Sequence, residues 1–147
     1  MLRLSNRGRY AVRAVFDLAQ NGGAPAQVRD VAERQRIPQR FLEQIFQTLK
    51  RAGLVESKRG PRGGFTLARR ADEVRLGDVL RAVEGPVVLA VAPKTRAHAG
   101  AHDVPDAALA DLSRTVERCF DGVTFEDLVS RSERVAVARK TRAPYVI

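Results

Sequence analysis

Apolar residues return at every third or fourth position through three successive stretches of the N-terminal third, the spacing of helices that bury one side. Ser5 is placed to cap the first, which runs to about Asn21 with Val12, Val15, Phe16 and Ala19 inward and ends at Gly22-Gly23. After an Ala24-Pro25 turn, a short second helix turns Val28, Val31 and Ala32 inward and carries Asp30 in its first turn. Gln35-Arg36-Ile37 makes a tight connection to Pro38, which suits the first position of a helix because its missing N–H is not needed there. The third helix then runs from Pro38 to Ala52, and Gly53 stops it.

The third helix divides most sharply. At helical spacing Phe41, Leu42, Ile45, Phe46, Leu49 and Ala52 share an arc of about 140°, and Arg40, Glu43, Gln44, Gln47 and Arg51 an arc of about 100° opposite. One face is core. The other is a ridge of long donors and acceptors, which is either an ordinary solvated face or a surface fit to reach base edges in a major groove. Two short strands follow, Leu54 to Lys58 and Gly64 to Ala68, joined by the glycine- and arginine-rich tip Arg59-Gly60-Pro61-Arg62-Gly63. Helix, short helix, helix and basic hairpin is the order of a winged helix-turn-helix, whose second helix-turn-helix helix enters the major groove while the wing lies on the backbone or in the minor groove. The tip's glycines do not make a nucleotide-binding loop, because the G-x-x-x-x-G-K-[ST] pattern is missing and no helix opens there.

A fourth helix spans Leu76 to Val83 and ends at Gly85-Pro86. Residues 87–105 are an apolar stretch and then a loop of Ala, His, Gly and Pro. Asp106 to Phe120 forms a long helix of about 22 Å, with Leu109, Leu112, Val116 and Phe120 along one stripe. Such a stripe either pairs with its copy in a second chain or packs back on its own domain; the first is the simpler reading for a stripe outside the winged-helix core. Thr124 can cap a last helix with Asp127 three positions on. The organisation is therefore mainly α with a small β-hairpin: a winged helix-turn-helix domain at 1–86, a loop at 87–105, dimerisation helices at 106–136 and a solvated basic tail at 137–147 with Arg139, Lys140 and Arg142.

Charge sharpens this reading. Of 147 residues, 26 are Lys or Arg and 17 Asp or Glu, and residues 1–86 hold 17 basic against 9 acidic groups while 87–147 hold 9 against 8. The surplus thus sits on the winged-helix part, where a polyanion partner, double-stranded DNA first among them, is expected. A basic RNA-binding module is the alternative, but the aromatic stacking platforms of single-strand readers are missing. An enzyme built on His98, His102, Asp103 and Asp106 lacks a nucleophile–base pair and a cofactor loop. One cysteine forms no internal disulfide, the N-terminus shows no signal-peptide apolar segment, and the longest apolar run, Val87 to Ala92, is too short to cross a bilayer, so a cytoplasmic protein without membrane partners is expected.

LSNRGRYAVRAVFDLA, VRDVAERQRIPQRFLEQIFQTLKRAGLVESKRGPRGGFTLAR and LGDVLRAVEG resemble the IscR/NsrR/CymR family of bacterial transcription regulators, closely over residues 1–86 and more weakly through the long helix and TFEDLV. The resemblance implies a homodimer on an inverted-repeat operator, usually a repressor, with no enzymatic activity. Carried onto matching positions, it places Arg40, Glu43 and Gln44 in the major groove and Arg59, Gly60 and Pro61 in the minor groove. Gln44 can pair with adenine; Glu43 can accept from a cytosine amino group and acts mainly by rejecting wrong bases. Gln47 shares the ridge, and Arg7, Arg9, Lys50, Arg51, Lys58 and Arg62 are candidates for phosphate contacts.

Three departures stand out. Arg36 occupies a position where the family commonly has glycine, at a cost on the order of 1 kcal/mol if the backbone there needs positive φ. Arg40 and Arg62 replace small residues and add charge. The segment that in many members carries three cluster-ligating cysteines reads VVLAVAPKTRAHAGAHDVPDAALA and has none. No cofactor is expected; an atypical Cys/His cluster or metal site is the alternative. Cys119 reads as a small buried residue of the dimer helix, or else as a redox-sensing thiol.

Overall fold

In the computed structural model, which describes residues 3–91 and 100–142, the chain runs through α1 (Asn6–Gln20), α2 (Val28–Gln35), α3 (Gln39–Arg51), β1 (Val55–Lys58), β2 (Gly64–Leu67), α4 (Leu76–Glu84), α5 (Val104–Asp121) and α6 (Phe125–Arg142), with a 3-10 turn at Ala101–Asp103 leading into α5. Ser5 caps α1 as expected, its hydroxyl accepting from the Gly8 N–H at 3.1 Å. The same N-terminus holds a second acceptor. Glu84, the last residue of α4, takes the N–H groups of Ser5 and Gly8 at 3.1 and 3.0 Å and the Ser5 hydroxyl as well. A carboxylate there also opposes the positive end of the helix dipole. A side chain at residue 8 would overlap that carboxylate, so Gly8 leaves room for Glu84 to reach the start of α1.

The buried face of α1 is rotated from the sequence reading. Ala11, Ala14, Val15 and Leu18 are fully buried, while Val12, Phe16 and Ala19 pack at the margins of the core. The alanines permit close approach of the neighbouring helices, and the larger side chains fill the edges.

Between α2 and α3 the chain turns through Arg36, whose φ of 52° and ψ of 51° lie in the left-handed region. It is the only non-glycine residue at positive φ among the described residues. The N–H of Ile37 reaches back to Ala32 O at 2.9 Å and that of Arg36 to Glu33 O at 3.2 Å, the closing pattern that usually recruits glycine. The turn is held from outside by α1. The buried Asp17 carboxylate accepts from Arg34 Nε and Nη2 at 3.1 and 2.7 Å and from Gln35 Nε2 at 2.9 Å, and Arg13 donates to the Gln35 carbonyl. Asp17 keeps the Arg34 guanidinium above its ordinary pKa, chiefly through that side-chain hydrogen bond.

Pro38 is the N-cap of α3 rather than its first helical residue, and Ala52 is an exposed C-cap. Leu42, Ile45, Phe46 and Leu49 are buried as expected, but Phe41 is 36% exposed, because it lies at the edge of the apolar arc against Tyr10, ring edge to face at 5.7 Å. The hairpin pairs antiparallel from Val55↔Leu67 to Lys58↔Gly64. Phe65 stacks on Phe46 at 4.6 Å and pairs by its backbone with Ala26, fixing the wing against α3 and the α1–α2 connection.

The core does not stop at α4. Phe125, at the start of α6, is fully buried in the same cluster, held by Phe125 N to Val74 O at 3.0 Å and Leu76 N to Val123 O at 2.9 Å. Arg81 adds an ion pair to Asp121 at 2.7 Å. α5 begins at Val104 rather than Asp106, with a proline in its first turn. Its stripe is split: Leu109 and Leu112 are exposed, whereas Val116 and Phe120 are half-buried beside a cavity of about 390 Å³ shared with Leu4, Leu80, Val87 and Leu89. Cys119 is exposed rather than buried, because a position seven residues from Leu112 shares its open side. The tail read from Val137 is helical through Arg142, with Arg139 and Lys140 exposed on the last turns of α6. Thr124 and Asp127 form the expected reciprocal cap, at 3.1 and 2.9 Å.

Candidate nucleic-acid interface

The outward face of α3 carries Arg40, Glu43, Gln44, Gln47, Lys50 and Arg51, all exposed. They face outward because the opposite stripe is consumed by the core, so burial on one side sets presentation on the other. Gln39 Nε2 donates to Glu43 Oε1 at 3.0 Å, one turn away, and steadies a carboxylate that otherwise stands among cations. Lys50 Nζ donates to Ser57 Oγ at 2.7 Å, tying the C-terminal end of α3 to β1, and Arg51 makes a long contact of 3.4 Å with Thr48 Oγ1. The Arg40 side chain has no hydrogen bond or ion pair among the described residues.

At the wing, Lys58, Arg59, Gly60, Pro61 and Arg62 are all exposed, and the side chains of the three cations make no hydrogen bond or ion pair among the described residues. The tip is closed by Gly63 N to Gly60 O at 2.9 Å, and Gly60 sits at φ 114°, a backbone that a side chain would strain. Two free arginines thus flank a tight glycine–proline turn, a shape that can enter a narrow groove of negative potential.

Arg7 differs from the other phosphate candidates. Its Nη2 donates to Thr48 Oγ1 at 2.8 Å and its Nε is buried without a partner among the described residues, so its guanidinium is partly spent on stitching α1 to α3. Thr48 carries no signal in the sequence, because its role depends on Arg7 reaching it from another helix. His98 lies outside the described residues, and Asp103 accepts from Gly100 N at 2.8 Å. The structure therefore brings the α3 ridge and the wing together.

The Rrf2 family profile, described as "Iron-dependent Transcriptional regulator", matches residues 4–131. The chain belongs to the Rrf2 family. It is similar to the HTH-type transcriptional regulator IscR of Erwinia tasmaniensis, 35% identical over 139 residues covering 93% of this chain and 84% of the relative. It is 36% identical to IscR of Escherichia coli over the same length, covering 86% of that protein. Among solved structures it is similar to T. potens IscR, with a TM-score of 0.77, 32% identity and coverage of 91% of this chain and 90% of the other. CymR, the global cysteine regulator of B. subtilis, gives a TM-score of 0.74 at 30% identity, with 89% and 98% covered. The winged helix-turn-helix fold read from the sequence is thus confirmed, and the protein is a DNA-binding transcriptional regulator of the Rrf2 type. No helix among the described residues is long and apolar enough to cross a membrane.

Iron in this family raises the question of a cluster. Clusters are held chiefly by thiolates. The sequence offers a single cysteine, exposed on α5, and among the described residues no three His, Cys, Asp or Glu side chains gather where they could hold a metal ion. The donor set of this Rrf2 member does not fit an iron–sulfur cluster.

Proposed function

We propose that this protein is a homodimeric, sequence-specific repressor that reads an inverted-repeat operator and does so without an iron–sulfur cluster. The observation that carries the reading is the pairing of an exposed polar α3 ridge with an exposed cationic wing, the wing being packed on α3 through the Phe46–Phe65 stack. On that reading Gln44 pairs with adenine, Glu43 selects against bases without an amino group to donate, and Arg40 and Gln47 extend the reading along the groove. Arg59 enters the minor groove beside Gly60 and Pro61. Lys50, Arg51, Lys58 and Arg62, with Arg7 in part, hold the phosphates and set the register. The exposed stripe of Leu109 and Leu112 is the face offered to a second copy, which would present two α3 helices to successive major grooves about 34 Å apart.

The test uses a DNA fragment selected from genomic DNA by the protein itself. Gln44→Ala is expected to weaken binding to that fragment by about 1–3 kcal/mol and leave binding to random DNA nearly unchanged. Equal losses on both DNAs would remove Gln44 from the bases.

A further inference from the structure

Three arginines lie in or against the α2–α3 turn, and their fates differ. Arg13 is tied to the Gln35 carbonyl and Arg34 is paired in two places with the buried Asp17. The Arg36 side chain is exposed and makes no hydrogen bond or ion pair among the described residues, although the residue occupies the strained backbone position of the turn. Strain of this kind persists only where the surroundings over-determine the backbone, and it collects where a side chain is being put to use. Here the surroundings do over-determine it: Asp17 and Arg13 clamp residues 34 and 35, and the buried Ile37 clamps the other side. A rigid frame of internal bonds therefore surrounds one uncommitted guanidinium. Arg36 stands two residues before Pro38, the cap at the end of α3 that leads into the ridge of Arg40, Glu43 and Gln44.

We propose that Arg36 is a DNA-backbone contact, its guanidinium engaging a phosphate at the edge of the half-site that α3 enters. The inference rests on the docking of α3 proposed above. A guanidinium pairs with phosphate oxygens through parallel N–H donors and stays charged at any working pH. A phosphate contact carries no base information, so its effect is the same on every sequence. Each subunit contributes one such contact, and the dimer two.

The experiment compares the full-length protein with Arg36→Gly, Arg36→Gln and Arg36→Lys, each on the selected fragment and on random DNA over a salt series, together with thermal melts. Glycine removes both the strain and the charge; glutamine removes only the charge; lysine keeps it. The glycine variant is expected to melt roughly 1–4 °C higher. Both glycine and glutamine variants should bind the two DNAs about tenfold more weakly and lower the slope of log K against log salt by about two, one for each subunit. The lysine variant should keep the slope. Wild-type affinity and slope in the glutamine variant would overturn the contact, whatever glycine does to stability. Gln44→Ala is measured alongside: if it loses discrimination while Arg36→Gln binds normally, this contact alone fails, whereas normal binding by both removes the docking of α3 itself.

Discussion

Asp17 shows how a single residue sets the geometry of a reading head from its far side. Its carboxylate is 5% exposed and satisfied by three N–H donors from α2, so removing it strands those donors and frees the last turn of that helix. Asp17→Ala is expected to lower the unfolding free energy by about 1–3 kcal/mol, less than a fully buried pair would lose, because Arg34 is 49% exposed and can turn to water. Urea denaturation followed by circular dichroism measures it; a loss near zero would mean that the turn holds itself. Nothing in the one-dimensional pattern marks Asp17. It interrupts the apolar periodicity of α1 and reads as a solvent residue, and only the arrival of Arg34 and Gln35 from the next helix explains its burial. Arg36 was legible for a different reason. Its position between a helix end and a proline-led helix start demands a turn, and the cost of an arginine there follows from backbone sterics alone.

At the level of elements, periodicity was a good guide wherever a segment packs along its whole length. α3, the hairpin strands and α4 lie within a residue or two of the expected bounds, since caps, glycines and Pro38 are local signals. Orientation was less legible. The buried side of α1 shifted to its alanines because closeness of approach, not side-chain size, decides which face faces inward. Phe41 escaped the core because a ring at the arc's edge can lean on Tyr10 instead.

Two element-level predictions follow from the caps and the wing. Arg59→Ala should weaken DNA binding and lower the salt slope by up to about two for a dimer, read in the same titrations; an unchanged slope with unchanged affinity takes the wing off the DNA. The α6 cap carries a pH dependence. The backbone N–H of Thr124, helped by its hydroxyl, holds Asp127 below the ordinary aspartate range. The folded form therefore favours the charged carboxylate, and the stability it adds is present above about pH 4 and lost as pH falls through the lowered value. Asp127→Asn should cost stability at neutral pH, and its difference from wild type should shrink as the pH falls through the lowered aspartate value, checked by thermal melts across the range.

For the whole molecule, the donor inventory and the open stripe of α5 meet in one measurement. Purified without oxygen, the protein is expected to be a colourless dimer that carries no stoichiometric iron and still binds its DNA. Iron and sulfide assays, the visible spectrum and light scattering check the three parts. Stoichiometric iron with absorption between roughly 320 and 460 nm would overturn the cluster-free reading, and a monomer that binds DNA normally would overturn the role of Leu109 and Leu112. The stripe itself was legible as spacing. Its division was not, because Val116 and Phe120 are covered by residues 80–89 of the same chain, and a contact between segments so far apart leaves no periodic mark on either.

Phe125 bears on how the protein is made. It is fully buried in the core cluster to which α1, α3 and α4 also contribute, yet it follows Glu84 by some forty positions. At about 5–20 residues per second, a ribosome adds that stretch in roughly 2–8 s. Through that interval the newly made helices and wing lack Phe125 and the backbone bonds that Val123 and Phe125 make to Leu76 and Val74, and the place of that ring in the core stays open on the nascent chain. Completion of the reading head is thus timed by the arrival of α6, and any delay between codons 84 and 125 lengthens the period in which that open place can meet a chaperone or another unfinished chain.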